Sequence, residues 1–129
     1  MRVAVISDIH GNQVALEAVL EDLSLQSGID HLVIAGDLCL NGPCPGQVLE
    51  TVQKLGCPVI QGNVDAEVVN GAPEKGAKKR TTVGWTREEI GQAGIDYLAS
   101  LPFSHGIPNP AGSDLLIVHA NPLNLEDAR

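Results

Sequence analysis

From the amino terminus, apolar residues come first in a short unbroken run, then at helical intervals, then in short runs again. Val3, Ala4, Val5 and Ile6 stand in a row, and residues 2–7 predict a buried strand. Asn12 is a good helix cap, and Leu16, Val19, Leu20 and Leu23 share one face of a helix over about 13–25, which Gly28 ends. Residues 31–35 predict a second apolar strand. Pro45 suits the first turn of a further helix, which carries Val48, Leu49, Val52 and Leu55 on its apolar face and runs to Gly56. Residues 58–61 read as a short third strand. Strands alternating with helices in this way predict a parallel sheet with right-handed crossovers.

The texture then changes. Residues 70–80 contain Gly71, Pro73, Gly76 and the basic run Lys78, Lys79 and Arg80, and predict a surface loop. Thr86 and Glu89 have the spacing of a capping box ahead of a helix that ends near Ser100. Two extended segments, around His105 and at 115–119, flank Pro108, Pro110 and Gly112 and predict a hairpin with a long loop.

Polar residues close each predicted strand. The first runs into Ser7-Asp8-Ile9-His10, the second into Gly36-Asp37, the third into Gly62-Asn63-Val64-Asp65, and the last extended run into His119. Ligands of open α/β sheets bind beyond the carboxyl ends of the strands, so these endings point to one site. Asp8 and His10, two apart at a strand end, are expected on one side, with Ile9 turned away. Carboxylate oxygen and imidazole nitrogen together suit Mn, Fe, Zn and similar divalent ions. Asp37 has two oxygens to share between two ions, Asn63 adds a carbonyl oxygen, and His119 adds a nitrogen. Two neighbouring ions can hold a hydroxide and polarise a phosphoryl group for in-line attack. Gly11, Gly36 and Gly62 are expected to let the backbone turn sharply beside them. Taken singly, each residue has a plainer role: Asp8 as a cap, Asp37 as a turn former near Asn41-Gly42-Pro43, His10 on the surface, His119 as a buried imidazole. Asp65 is expected to support the Asn63 loop, and His31 and His105 fit no motif.

In order and spacing, Asp8-Ile9-His10, Gly36-Asp37-Leu38-Cys39-Leu40-Asn41-Gly42-Pro43, Gly62-Asn63-Val64-Asp65 and Val118-His119-Ala120 resemble the motif series of calcineurin-like metallophosphoesterases. Ile6 to Asn12 is similar to the opening of the small bacterial and archaeal phosphodiesterases. The resemblance implies an α/β fold: a calcineurin-like phosphoesterase sandwich of mixed β-sheets flanked by helices, its second sheet incomplete here. It implies hydrolysis of a phosphodiester or phosphomonoester by a metal-bound hydroxide at a dinuclear site. Asp8, His10 and Asp37 would hold one ion, and Asp37, Asn63 and His119 the other. Asn12 and Asn63 would face the substrate. Mn is the first expectation for the metal, with Fe, Zn, Ni, Co or Mg as alternatives.

Two departures stand out. Val64 occupies a position where many members have a histidine that helps protonate the leaving group, and no Gly-His-Thr-His type motif follows His119. The second keeps open a non-catalytic scaffold or binding module, or an inactive fragment of a longer enzyme. The expectation is a single metallophosphoesterase domain over residues 1–129 without its carboxy-terminal portion, and self-association through the uncovered second sheet.

Composition refines this in three respects. With 129 residues the chain fits one domain, and a net charge of −8 argues against nucleic acid or an anionic membrane held by simple attraction. It leaves a small phosphate ester open as substrate, because bound divalent ions invert the local sign. One Trp, one Tyr and one Phe mean that Val, Leu, Ile and Ala must build the core. Cys39, Cys44 and Cys57, with no secretory pattern ahead of them, predict reduced thiols in a cytoplasmic protein. A Cys39/Cys44 zinc pair would lack its second pair of ligands. No apolar run reaches the roughly 18 residues that cross a bilayer.

Overall fold

The computed structural model describes residues 1–71 and 82–125. The basic run Lys78, Lys79 and Arg80 lies outside the described residues. Strands β1 (Val3–Ile6) and β2 (His31–Ile34) pair in parallel, Val3 opposite His31 and Ile6 opposite Ile34. Helix α1 (Gln13–Ser24) joins them and is capped by Asn12, whose side-chain oxygen accepts the Ala15 N–H at 3.0 Å. Helix α2 (Pro45–Leu55) starts on Pro45 and stops at the left-handed Gly56.

The third predicted strand survives as a single parallel bridge between Ile34 and Val59. Pro58 has no N–H to extend the ladder, and the Gln61 N–H turns away to the Pro102 carbonyl at 2.8 Å. Directly after it comes helix α3 (Asn63–Asn70), where the sequence pattern suggested only the loop that carries Asn63.

Helix α4 (Thr82–Ser100) corrects another expectation. Thr86 does not cap it. The residue lies one turn inside, fully buried, and its hydroxyl donates to the Thr82 carbonyl at 2.7 Å. Threonine satisfies its hydroxyl equally well by capping or by bonding back one turn, so spacing alone did not decide between them. The helix is kinked at Gly91, whose backbone is not helical. Strands β3 (Ser104–Ile107) and β4 (Leu115–Val118) form the predicted antiparallel hairpin, Ser104 opposite Val118.

Successive residues of β2 face opposite ways, and each face has its own core. Ile34 joins Leu16, Leu38, Val48, Leu49, Val52, Val68 and Leu98 beneath the helices. Val33 joins Ala35 and Ile60 against Ile107 and Ile117 of the second sheet. These side chains are aliphatic, as composition required, and burying each valine, leucine or isoleucine contributes about 1.5–3 kcal/mol. The result is an α/β sandwich whose sheets are short. Val5 stays 51% exposed and Leu116 57%. The three cysteines are free. Among the described residues no helix is long and apolar enough to cross a membrane.

Candidate metal centre

The loops leaving β1, β2 and the Val59 bridge meet at the carboxyl edge of the first sheet, and the end of β4 joins them. Asp8 and His10 share a side for a reason other than strand alternation. β1 has already ended at Ile6, and both residues are left-handed, with φ of 58° and 48°. Asp37 and Asn41 adopt the same conformation, at φ of 58° and 72°. Asp, Asn and His are the non-glycine residues that enter this region most readily, each at a cost of about 1–2 kcal/mol. Main-chain bonds hold the turns in place. Asp8 N–H donates to Gly36 O at 3.1 Å, His10 N–H to Asp37 O at 2.9 Å, and Gly11 N–H to Leu38 O at 2.8 Å.

Asp37 lies at the centre, 4% exposed. Its Oδ2 is 3.6 Å from His10 Nε2, which is 3.5 Å from Asp8 Oδ1. Its Oδ1 is 3.3 Å from His119 Nε2, which is 3.0 Å from Asn63 Oδ1. One candidate ligand atom each from Asp8, His10 and Asp37 lies within 4.8 Å of the others. Burial pushes the Asp37 carboxyl above the usual range, and Asp8 adds to this. His119, the Val64 N–H at 3.2 Å and His10 pull it back.

The two imidazoles are anchored alike. His10 Nδ1 lies 2.9 Å from the Leu40 carbonyl, and His119 Nδ1 lies 2.6 Å from that of Ala35. A carbonyl only accepts, so each Nδ1 carries the proton and each Nε2 of a neutral ring directs a lone pair at oxygen acceptors. That arrangement calls for a second proton on each ring or a cation among the oxygens. Nδ1–H held by a carbonyl is also the usual support of a metal-bound histidine. The residues present therefore fit a divalent cation.

Glycine at 62 serves a different purpose from the expected one. The backbone there is extended, at φ −94° and ψ 171°, so no turn requires it. A Cβ at 62 would instead lie 2.0 Å from Asp37 Oδ1 and 2.4 Å from Asp37 N. Gly36 does turn, at φ 90°, and its own Cβ would meet Gly62 N at 2.5 Å. Asp65 is fully buried, and its carboxylate accepts three backbone donors: Leu38 N–H at 2.9 Å, Asp37 N–H at 2.9 Å and Gly62 N–H at 2.8 Å. Burial raises its pKa and these donors lower it.

Asp8, His10, Asp37, Asn63 and His119 thus converge, although 84 residues separate Ala35 from His119. Asn12 is exposed and lines a neighbouring cavity of about 250 Å³ with Ser7 and Asp8. His31 is exposed at the opposite end of β2, and His105 lies on β3. The Leu40 and Ala35 carbonyls escaped detection in the sequence, because every residue supplies a carbonyl.

The chain matches the family model described as calcineurin-like phosphoesterase over residues 1–129. An uncharacterised protein of Methanocaldococcus jannaschii is 33% identical over 126 residues, covering 96% of this chain and 51% of that protein. Phosphodiesterase YfcE of Escherichia coli strain K12 is 41% identical over 78 residues, covering 53% of this chain and 42% of the relative. The crystal structure of a hypothetical protein from Pyrococcus horikoshii superposes with a TM-score of 0.81 at 26% identity, covering 97% of this chain and 57% of that one. The chain spans about half the length of the curated relatives it matches.

Proposed function

The chain belongs to the calcineurin-like phosphoesterase family, and from this membership we propose that it hydrolyses a small phosphate ester with the help of two divalent ions. Asp8, His10 and Asp37 hold one ion; Asp37, Asn63 and His119 hold the other. The observation that carries this reading is the double facing of Asp37, with Oδ2 3.6 Å from His10 Nε2 and Oδ1 3.3 Å from His119 Nε2. A carboxylate placed between two anchored imidazoles has one oxygen for each ion. The similarity to a named phosphodiesterase favours a phosphodiester over a phosphomonoester. Manganese is the metal proposed first, since a mixed oxygen and nitrogen set with exposed Asp8 leaves room for water ligands.

Once bound, the ions supply Lewis acidity and an activated water for in-line attack on phosphorus. The chain's own residues position the reactants. Leu40 and Ala35 aim the two imidazoles through their Nδ1 protons. The Val64 N–H steadies Asp37 Oδ1. Asn12 has its oxygen engaged in capping α1, which leaves its amide N–H groups to meet a phosphoryl oxygen. The Val64 side chain has no acidic proton to give, so water or another residue protonates the leaving group.

Metal-stripped protein assayed on bis(p-nitrophenyl) phosphate tests the reading. Hydrolysis is expected to be absent in chelator and to return with manganese, alongside binding of two ions per chain. His31→Ala should stay within about twofold of wild type, because a surface change remote from the site lacks a mechanism for a larger effect. Turnover that persists undiminished in chelator, or an absence of bound metal, would overturn it.

A further inference from the structure

We infer that Asp65 is the positioning residue that sets the spacing between the two ion sites, an inference that rests on the two-ion reading above. The left-handed turn at Asp37 points two successive backbone N–H groups, its own and that of Leu38, in one direction. Such a concavity binds an anion. Here the anion is the Asp65 carboxylate, which also takes the Gly62 N–H at the start of α3.

The return contact crosses it. Asp37 Oδ1 accepts the Val64 N–H at 3.2 Å. Each aspartate side chain therefore binds the backbone of the other's loop, and the two loops are locked in register. Asp37 is the ligand common to both proposed sites, and Asn63 belongs to the second alone. The Asp37–Asn63 separation is thus governed by a carboxylate that touches neither ion.

The first site is held by other means. The Asp8–His10 turn is tied to the β2 loop by main-chain bonds from Asp8, His10 and Gly11 to Gly36, Asp37 and Leu38, none of which uses Asp65. Loss of Asp65 should therefore spare the first ion and weaken the second. Asparagine at 65 would turn an amide N–H₂ against backbone N–H donors, because both carboxylate oxygens are engaged. Glutamate keeps both oxygens but stands one methylene further out.

The test is manganese binding to Asp65→Asn and Asp65→Glu, read by calorimetric titration and by electron paramagnetic resonance of the loaded proteins. Exchange coupling between two manganese ions reports their separation independently of turnover. Asp65→Asn is expected to weaken the second ion tenfold or more while the first stays within about threefold, in the range for residues that support ligands. The coupling signature should disappear. Asp65→Glu should fall between Asn and wild type, and it carries the test if the asparagine variant does not fold. A purely stabilising residue would lower Tm and leave stoichiometry and coupling of the folded protein unchanged; that result in either folded variant overturns the inference. Failure of wild type to bind a second ion would instead overturn the two-ion reading and this inference with it.

Discussion

Asp37→Ala is expected to remove metal-dependent hydrolysis almost completely, lowering kcat/KM by about a thousandfold, equivalent to about 4 kcal/mol of barrier. The size of the effect follows from position. Every other proposed ligand serves one ion, whereas Asp37 faces His10 through Oδ2 and His119 through Oδ1. Its removal would take an oxygen from both proposed ion sites and leave the two imidazoles without the carboxylate between them. Asn63→Ala removes a neutral oxygen from one ion only, and should cost about tenfold to a hundredfold. The measurements are kcat/KM with saturating manganese and metal content after gel filtration. Circular dichroism checks the fold of both variants. Equal losses in Asp37→Ala, Asn63→Ala and His31→Ala would mean that folding, and not ligation, is what the substitutions disturb.

Gly62→Ala should produce the second large effect, in stability as well as in metal binding. Its Cβ would sit 2.0 Å from Asp37 Oδ1 and 2.4 Å from Asp37 N, and the backbone atom has little freedom to retreat. The Asp37 N–H is held by Asp65, and Asp65 also holds the Gly62 N–H, so moving either loop strains the other. A loss of about 3 kcal/mol is expected, the upper end for overpacking at a tight site. For a domain of this size that lowers Tm by roughly 10 °C. Gly56→Ala is the comparison. Gly56 is left-handed at φ 63°, and a Cβ there would meet no atom within 4 Å, so strain alone should cost about 1 kcal/mol. Thermal melts of the two variants, with and without manganese, separate the mechanisms. A Gly62→Ala protein as stable as Gly56→Ala, with wild-type metal affinity, would show that the Asp37 and Gly62 loops are not held in contact.

Helix α2 was legible to the residue, because proline at a helix start and glycine at its end act locally and do not wait for tertiary contacts. α1 was legible at its start through the Asn12 cap, although it closes at Leu25 and not at Gly28, and the β3–β4 hairpin through its two extended runs. α3 was missed. Its first turn is Asn63-Val64-Asp65, and beyond the local bond from the Gly62 N–H to Asp65 what stabilises it is remote: the Val64 N–H is met by Asp37, and Val68 is buried in the helical core. Thr86 was misread for the converse reason, since a local signal was satisfied inside the helix as well as at its end.

The site divides along the same line. Side-chain identity and order were enough to pick out residues that the fold brings together: Asp8, His10, Asp37, Asn63 and His119, each at or just beyond the end of a predicted strand. They were enough, too, to assign Asp65 to the support of the Asn63 loop, although not to show that it spans two loops. How Asp8 and His10 come together was settled by packing, because aspartate and histidine tolerate a left-handed backbone without requiring it. Packing also placed His119 against Asp37 and supplied the Ala35 and Leu40 carbonyls that orient the rings. A carbonyl is common to all residues, and a long-range closure depends on every element between its ends. Neither leaves a mark in the pattern of side chains, and both arise only when the two sheets and their helices pack.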